Sequence, residues 1–351
     1  MSRNKLAFVR RSLLRWYDSS HRDLPWRRTR DPYAIWIAET MLQQTQVATV
    51  VPYYERFLKA FPTIEALDRA PLRKVLALWS GLGYYRRAEH LKKAARKLIL
   101  VHEGRLPESY EALRALPGVG DYTAGALLSI AFGKPYPAID GNARRVLGRI
   151  FAVTSDQKIR PIATRLVPAR NPGYFNQGLM ELGATTCLAK SPRCPECPVA
   201  PACKSRAAKT GLTLNKTRIA KDVIWPLAIV RSRGAILLRR RAPRGILAGL
   251  WELPGGEKRA GESLAANIRH HLHPLPANLA APKCIGEIRH SITNRKIRSP
   301  IFLFDHRAAA RIDSPGPDWR WLPPSLLHRY PLSSMTLKAA KVLAAHDKSS
   351  L

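Results

Sequence analysis

Acidic residues are scarce in this 351-residue chain: 25 Asp and Glu stand against 59 Lys and Arg, a formal charge of +34. So one-sided a surface attracts polyanions and releases their counterions on binding. Nucleic acid is the first partner it suggests. An anionic membrane is the second, but no basic amphipathic anchor stands out, and a merely basic composition is the bland alternative. Long apolar runs are also missing. No window approaches the ~20 apolar residues that span a bilayer. Residues 1–16 lack an apolar core segment and a small-residue cleavage site, so no signal peptide is read there. A cytoplasmic protein is expected, nucleoid-associated if bacterial, with no membrane partner and a monomeric state. Cysteine is sparse, five in all. In a reducing compartment, clustered thiols point to metal rather than disulfides.

What is present divides the chain in two. Hydrophobic residues make up 46%, enough for globular cores. Residues 1–205 read as helical: Leu6, Val9, Leu13 and Tyr17 recur at helical spacing, as do Leu91, Ala94, Ala95 and Leu98. Residues 206–224 are polar and basic and read as a linker. From 225 to 351 the pattern becomes that of a smaller α+β domain. Strands are expected at 227–231, 234–239, 285–288 and 300–304, and helices at 263–271 and 333–345.

Cys187, Cys194, Cys197 and Cys203 fall in a proline-rich loop, separated by six, two and five residues. Four thiolates at this spacing hold an iron–sulfur cluster or zinc. One Cys-x2-Cys knuckle with two outlying cysteines leans toward the cluster. Cys284 stands apart and reads as a core cysteine.

Leu116-Pro-Gly-Val-Gly120 lies between two helical patterns. Gly118 and Gly120 let the chain turn tightly and expose N–H groups to a phosphate, although a plain interhelical loop fits too. Two carboxylates stand out. Glu39 has apolar neighbours that would raise its pKa and keep it a proton donor. Asp140 precedes a basic helix whose Arg144 and Arg145 would keep it ionised. Such a pair suits cleavage of a glycosidic bond; helix capping is the alternative for both.

Six ordered segments carry a resemblance: Leu24-Pro-Trp-Arg27, Met41-Leu-Gln-Gln-Thr-Gln-Val47, Gly81-Leu-Gly-Tyr-Tyr85, Leu116–Gly120, Ile139-Asp-Gly-Asn142 and the cysteine box. Residues 24–203 resemble the endonuclease III superfamily of helix-hairpin-helix DNA glycosylases, and within it the MutY-type adenine DNA glycosylases. Gly249-Leu-Trp-Glu-Leu-Pro-Gly-Gly256 is similar to that family's MutT-like domain. The resemblance implies an all-α glycosylase region with a [4Fe-4S] cluster on the four cysteines, plus a C-terminal α+β Nudix-like domain. It implies base-excision repair of double-stranded DNA, removing adenine paired with 8-oxoguanine or guanine after base flipping.

Carried over residue by residue, Glu39 would protonate adenine N7 and help activate water. Asp140 would stabilise the oxocarbenium ion or a covalent sugar adduct. Tyr122 and Asn142 would be their polar partners. Leu24, Trp26, Arg27, Leu42 and Glu181 match the adenine pocket. Gln44, Thr45, Leu82 and Tyr84 match residues that contact the opposing lesion or wedge into the gap; for Tyr84 alone, a helix–helix contact is the plain alternative. Lyases of the superfamily place a Schiff-base Lys where Tyr122 stands, and a phenol cannot form the imine. A monofunctional glycosylase is therefore expected. A bifunctional endonuclease III-like glycosylase/lyase and a non-catalytic cluster-bearing DNA-binding protein are the alternatives.

The Nudix-like domain departs from its family twice. Gly256 and Glu262 match the start of the pyrophosphatase motif, but His270, His271 and His273-Pro274 stand where its Arg-Glu and Glu-Glu belong, so no metal site is expected there. These histidines read as surface residues. A Phe-Ser-His loop that senses 8-oxoguanine in relatives aligns with Ile292-Thr293-Asn294. Thr293 and Asn294 keep polar groups, but reduced lesion discrimination is expected.

Overall fold

A computed structural model describes all residues except 1, 209–219, 243, 246, 274, 276–278, 280, 293, 307–312 and 350–351. The chain forms two compact units: residues 1–69 with 89–216, and residues 70–88 with 217–351. No helix among the described residues is long and apolar enough to cross a membrane.

The first unit is helical. Its opening helix, Arg3–Ser20, buries Leu6, Val9, Leu13 and Tyr17, the i, i+3, i+4 stripe that one helix face presents. Leu6, Val9 and Leu13 of that stripe pack with Val146, Leu147 and Ile150 of helix Gly141–Phe151 and with Phe175, Leu179 and Leu182 of helix Pro172–Thr185. The helix Pro32–Leu42 is different, because every residue from Tyr33 to Met41 is buried. Pro32 opens it without an orphan N–H, and the Asp31 carboxylate accepts from Tyr33 N (3.0 Å) and Ala34 N (3.2 Å). An apolar helix so capped holds whatever polar group it carries in a fixed, dry position.

Among the described residues, the second unit is built on a seven-stranded mixed sheet. Its strands are β1 (Lys221–Ile224), β2 (Leu227–Ser232), β3 (Ala235–Arg240), β4 (Trp251–Glu252), β5 (Lys283–Ile292), β6 (Arg295–His306) and β7 (Trp319–Leu322). The order is β1-β6-β2-β3-β4, with β5 beside β6 and β7 beside β3. β6 runs parallel to β1 and β2 and antiparallel to β5. Helices Leu264–Leu272 and Ser334–Ser349 complete the α+β unit. All four expected strands and both expected helices are present. The expectation for Cys284 is corrected: it is exposed near the start of β5, beside Lys283, which is exposed too, and just before a register shift at Cys284/Gly286.

Candidate active site

The first unit encloses a cavity of about 820 Å3. Glu39 enters it from helix Pro32–Leu42, 4% exposed. The Tyr122 hydroxyl donates to Glu39 Oε2 and lies 3.2 Å from Met180 Sδ. Burial pushes the Glu39 carboxyl up to about 7; the Tyr122 bond and Arg27 pull it down, and the Asp140 charge pushes it up. Near neutrality such a carboxyl still holds a proton much of the time, and Glu39 lies inside its helix, whose caps are Asp31 and Gln43. Burial and the two carboxylates drive the Tyr122 phenol well above its ordinary value, so it stays a neutral hydrogen-bond donor.

Asp140 is the N-cap of helix Gly141–Phe151, accepting from Ala143 N at 2.6 Å and from Asn142 Nδ2 at 3.0 Å. Capping and a place in the cavity coexist in this residue. The expected role of its arginines holds for the Arg145 charge, which favours the Asp140 anion, and is corrected for Arg144. Arg144 pairs with Asp156 (2.9 Å). Arg145 bonds Asn142 Oδ1 (2.8 Å), Gly183 O (2.7 Å) and Cys187 O (2.9 Å). Burial raises the Asp140 pKa, and the Ala143 and Asn142 bonds, with the Arg145 charge behind them, oppose that rise. Gly183 makes this packing fit: a Cβ there would lie 2.6 Å from Asn142 Cβ.

The residues matched to an adenine pocket also line the cavity: Leu24, Trp26, Arg27, Leu42 and Glu181. Trp26 sits in the turn Pro25–Arg27, its ring edge-on to Tyr54 at 5.4 Å. Glu181 is 1% exposed. It accepts from Arg22 Nε (2.7 Å) and Nη2 (2.8 Å) and from Arg27 Nη2 (2.7 Å). Burial favours its neutral form, but these two guanidinium groups outweigh burial and hold the carboxyl down at about 2. Sequence reasoning missed Arg22, Gln43 and Met180. Of these only Gln43, inside the Met41–Val47 segment, left a local signal. Gln44 and Thr45 line the cavity mouth between helices Pro32–Leu42 and Val47–Ala60, Gln44 exposed at φ +58°.

The hairpin joins helix Tyr110–Arg114 to helix Asp121–Ala126. Gly118 and Gly120 are exposed. Gly118 has φ +79°, and a Cβ there would lie 2.6 Å from His90 Cβ, so only glycine fits. Asp121 fastens the hairpin, accepting from Tyr110 OH (2.9 Å) and pairing with Arg114 (2.7 Å) and Arg160 (2.5 Å).

Leu82 and Tyr84 belong to the second unit. Leu82 is buried, whereas Tyr84 is 47% exposed at φ +48°. In the same unit Asn294 is exposed at the β5–β6 turn, its carbonyl accepting from Lys221 N at 2.8 Å; Thr293 lies outside the described residues. Glu262 is committed to its own loop, accepting from Arg259 N (2.9 Å) and Asn267 Nδ2 (3.0 Å). His270 and His273 are exposed as expected, but His271 is half-buried against Gly256, and burial pushes its pKa down to about 4.

Cys187, Cys194, Cys197 and Cys203 all line a second cavity of the first unit, about 490 Å3 in volume. No three His, Cys, Asp or Glu side chains among the described residues close on a single ion. Arg149, 7% exposed, is on this wall. It donates to Leu188 O (2.7 Å), Ala189 O (2.8 Å) and Cys187 Sγ (3.3 Å). Its own carbonyl accepts from Ser205 Oγ at 2.8 Å. Lys190, Arg193 and Lys204 of this loop are exposed.

Residues 37–169 match the HhH-GPD superfamily of base excision DNA repair proteins, and residues 227–341 match the NUDIX domain. The chain is 34% identical to the adenine DNA glycosylase of Homo sapiens, over 96% of this chain and 74% of that one. It is 39% identical to the adenine DNA glycosylase of Buchnera aphidicola subsp. Baizongia pistaciae, over 69% of this chain and 72% of that one. Among solved structures, a thermostable thymine-DNA glycosylase superposes with a TM-score of 0.56 at 32% identity, over 58% of this chain and 98% of that chain. With a helical base-excision region followed by a Nudix domain, the chain belongs to the adenine DNA glycosylases.

Proposed function

We propose that this enzyme removes adenine paired with 8-oxoguanine or guanine in double-stranded DNA, hydrolysing the N-glycosidic bond without cutting the strand. The observation that carries this reading is the Tyr122–Glu39 hydrogen bond beside Asp140 in one cavity. Glu39, its pKa near 7, carries the proton to N7 of the flipped adenine. The base then departs as a better leaving group, and the ionised Glu39 draws a proton from the attacking water. Asp140, steadied by Ala143 and Asn142, places negative charge beside the sugar as positive charge grows there. Leu24, Trp26 and Leu42 enclose the base, and the Arg22–Glu181–Arg27 group fixes its polar edge. Tyr122 orients Glu39 and offers no amine for an imine.

Gln44, Thr45, Leu82 and Tyr84 contact or wedge the duplex around the gap, and Gly118 and Gly120 hold a backbone phosphate. Catalysis resides in residues 1–205 and residues 225–351 read the lesion; the expected linker, 206–224, is shorter than its composition implies, because Lys221–Ile224 already form β1 of the sheet. With Ile292-Thr293-Asn294 at the reading position, the preference for 8-oxoguanine over guanine is smaller than in loop-intact relatives. The enzyme works as a cytoplasmic monomer.

The four thiols fit a [4Fe-4S] cluster. They surround a cavity rather than a point, and the buried Arg149 guanidinium, bonded to carbonyls and Cys187 Sγ, calls for an anion beside it. When bound, the cluster supplies iron–thiolate bonds that close the loop. Arg149 spans that loop from Leu188 to Ser205, and Lys190, Arg193 and Lys204 face DNA phosphate.

The test is excision from duplexes carrying 8-oxoguanine:adenine, guanine:adenine and thymine glycol, with iron and sulfide analysis of the same protein. Adenine release from the first two, no strand nicking and no borohydride trapping are expected. Glu39→Gln should bind the mispair yet lose at least about a hundredfold in rate. Efficient trapping would return the lyase reading, and full activity of Glu39→Gln would remove Glu39 from the mechanism.

A further inference from the structure

The loop Gly81-Leu-Gly-Tyr-Tyr85 presents Tyr84 to solvent from a strained backbone position, φ +48° on a non-glycine residue. Something must hold it. Two hydroxyls of this segment meet at one backbone position of the second unit. Leu332 O accepts from Ser80 Oγ at 2.9 Å and from Tyr85 OH at 2.6 Å. Leu332 N returns a bond to Ser80 Oγ (3.2 Å), and Gly81 N donates to Tyr85 OH (3.0 Å). Tyr85 is 6% exposed and Leu332 fully buried, so water does not compete for the bond between them, and Ser80 adds to it from a half-buried position.

The node continues into the sheet. Leu332 bridges Trp251 of β4, Trp251 N donates to Pro331 O at 2.9 Å, and Ser333 N donates to Trp251 O at 3.2 Å. Arg87 locks the other end of the loop, donating to Gly83 O at 3.0 Å with its guanidinium 5.5 Å from the Tyr84 ring. The segment that carries Tyr84 is thus a rider on the Nudix-like sheet, the same sheet whose β5–β6 turn carries Asn294.

We propose that Ser80 and Tyr85 are positioning residues, which pin the Tyr84 loop to the backbone of Leu332 so that the duplex wedge and the lesion-reading turn act as one body. This rests on the reading of Tyr84 as the wedge. It means that the Nudix-like domain contributes to opening the duplex as well as to reading the lesion.

A double-mutant cycle on the full chain tests it, with single-turnover excision on an 8-oxoguanine:adenine duplex as readout. The backgrounds are native Tyr84 and Tyr84→Ala; the perturbation is Ser80→Ala with Tyr85→Phe, which keeps the buried ring. Thermal melts verify folding, and Tyr85→Phe alone serves if the pair melts early. The pair is expected to slow excision roughly tenfold in the native background and by less than about twofold once Tyr84 is Ala. Equal penalties in both backgrounds, or none in the native one, overturn the proposal. If Tyr84→Ala itself leaves mispair binding and rate unchanged, the wedge reading fails and takes this inference with it.

Discussion

Glu39 is held in two opposing ways. Burial favours its neutral form, and the Tyr122 hydroxyl favours its anion. Removing that hydroxyl in Tyr122→Phe therefore raises the Glu39 pKa. The alkaline limb of the single-turnover rate, where Glu39 loses its proton near pH 7, should move to higher pH; an unmoved limb would assign it to another group. The same shift bears on stability. A carboxyl whose pKa is higher in the folded chain favours folding at low pH, and that advantage is lost as pH rises from the unfolded value of 4.5 through about 7. Glu39→Gln, free of this penalty, should gain up to about 3 kcal/mol over the parent by pH 8. Its melting advantage should be larger at pH 8 than at pH 5, and equal advantages would refute the linkage. Glu39, Asp140 and Tyr122 were legible because each sits in a short motif. Arg22 was not: it reaches Glu181 across 159 positions, and no local pattern distinguishes it from the many other arginines. Asp140's surroundings were legible only in part: the Arg145 charge does favour its anion, but burial outweighs that charge, and Arg144 turns to Asp156. Neither arginine bonds Asp140 directly; Arg145 reaches it through Asn142, a geometry that sequence adjacency does not show.

At the scale of elements, periodicity located helices and strands because each buries one face. It could not say which body a short helix joins. Leu72–Trp79 buries Val75 and Trp79 and reads as one more helix of a helical region, yet residues 70–88 pack with the second unit. The Leu332 backbone that fixes them presents no side-chain signal. The hairpin offers a sharper contrast, since its glycines look equivalent in sequence. Gly118 needs a positive φ and has His90 against it, whereas Gly120 sits at φ −89° with open space around its missing Cβ. Gly118→Ala should lose about 1–3 kcal/mol of stability and weaken binding to undamaged duplex, while Gly120→Ala should melt within about 0.5 kcal/mol of the parent. Thermal melts and anisotropy titrations check this, and equal losses would mean that the hairpin's backbone, not its steric fit, sets its tolerance.

For the whole molecule, the scarcity of acidic residues acquires a division of labour. Several of the 25 carboxylates are spent on internal pairs: Glu181 between Arg22 and Arg27 and Glu252 beside Arg239 and Arg241, both buried, and the half-buried Asp305 on Arg231. Cations such as Lys190, Arg193 and Lys204 remain exposed. Exposed charge is screened by salt, whereas buried pairs are screened far less. Binding and chemistry should therefore respond differently to ionic strength. Affinity for undamaged duplex should fall about a thousandfold or more between 50 and 200 mM salt, as expected for six or more phosphate contacts. The excision rate of the saturated mispair complex should change by less than about threefold over the same range, because Glu39, Asp140 and Glu181 sit in a cavity whose ion pairs are shielded. Titrations on undamaged duplex and single-turnover rates at saturating enzyme separate the two. A shallow affinity slope would deny the net charge its role in DNA binding. A rate that fell in step with affinity would place the exposed cations in the chemical step rather than in docking.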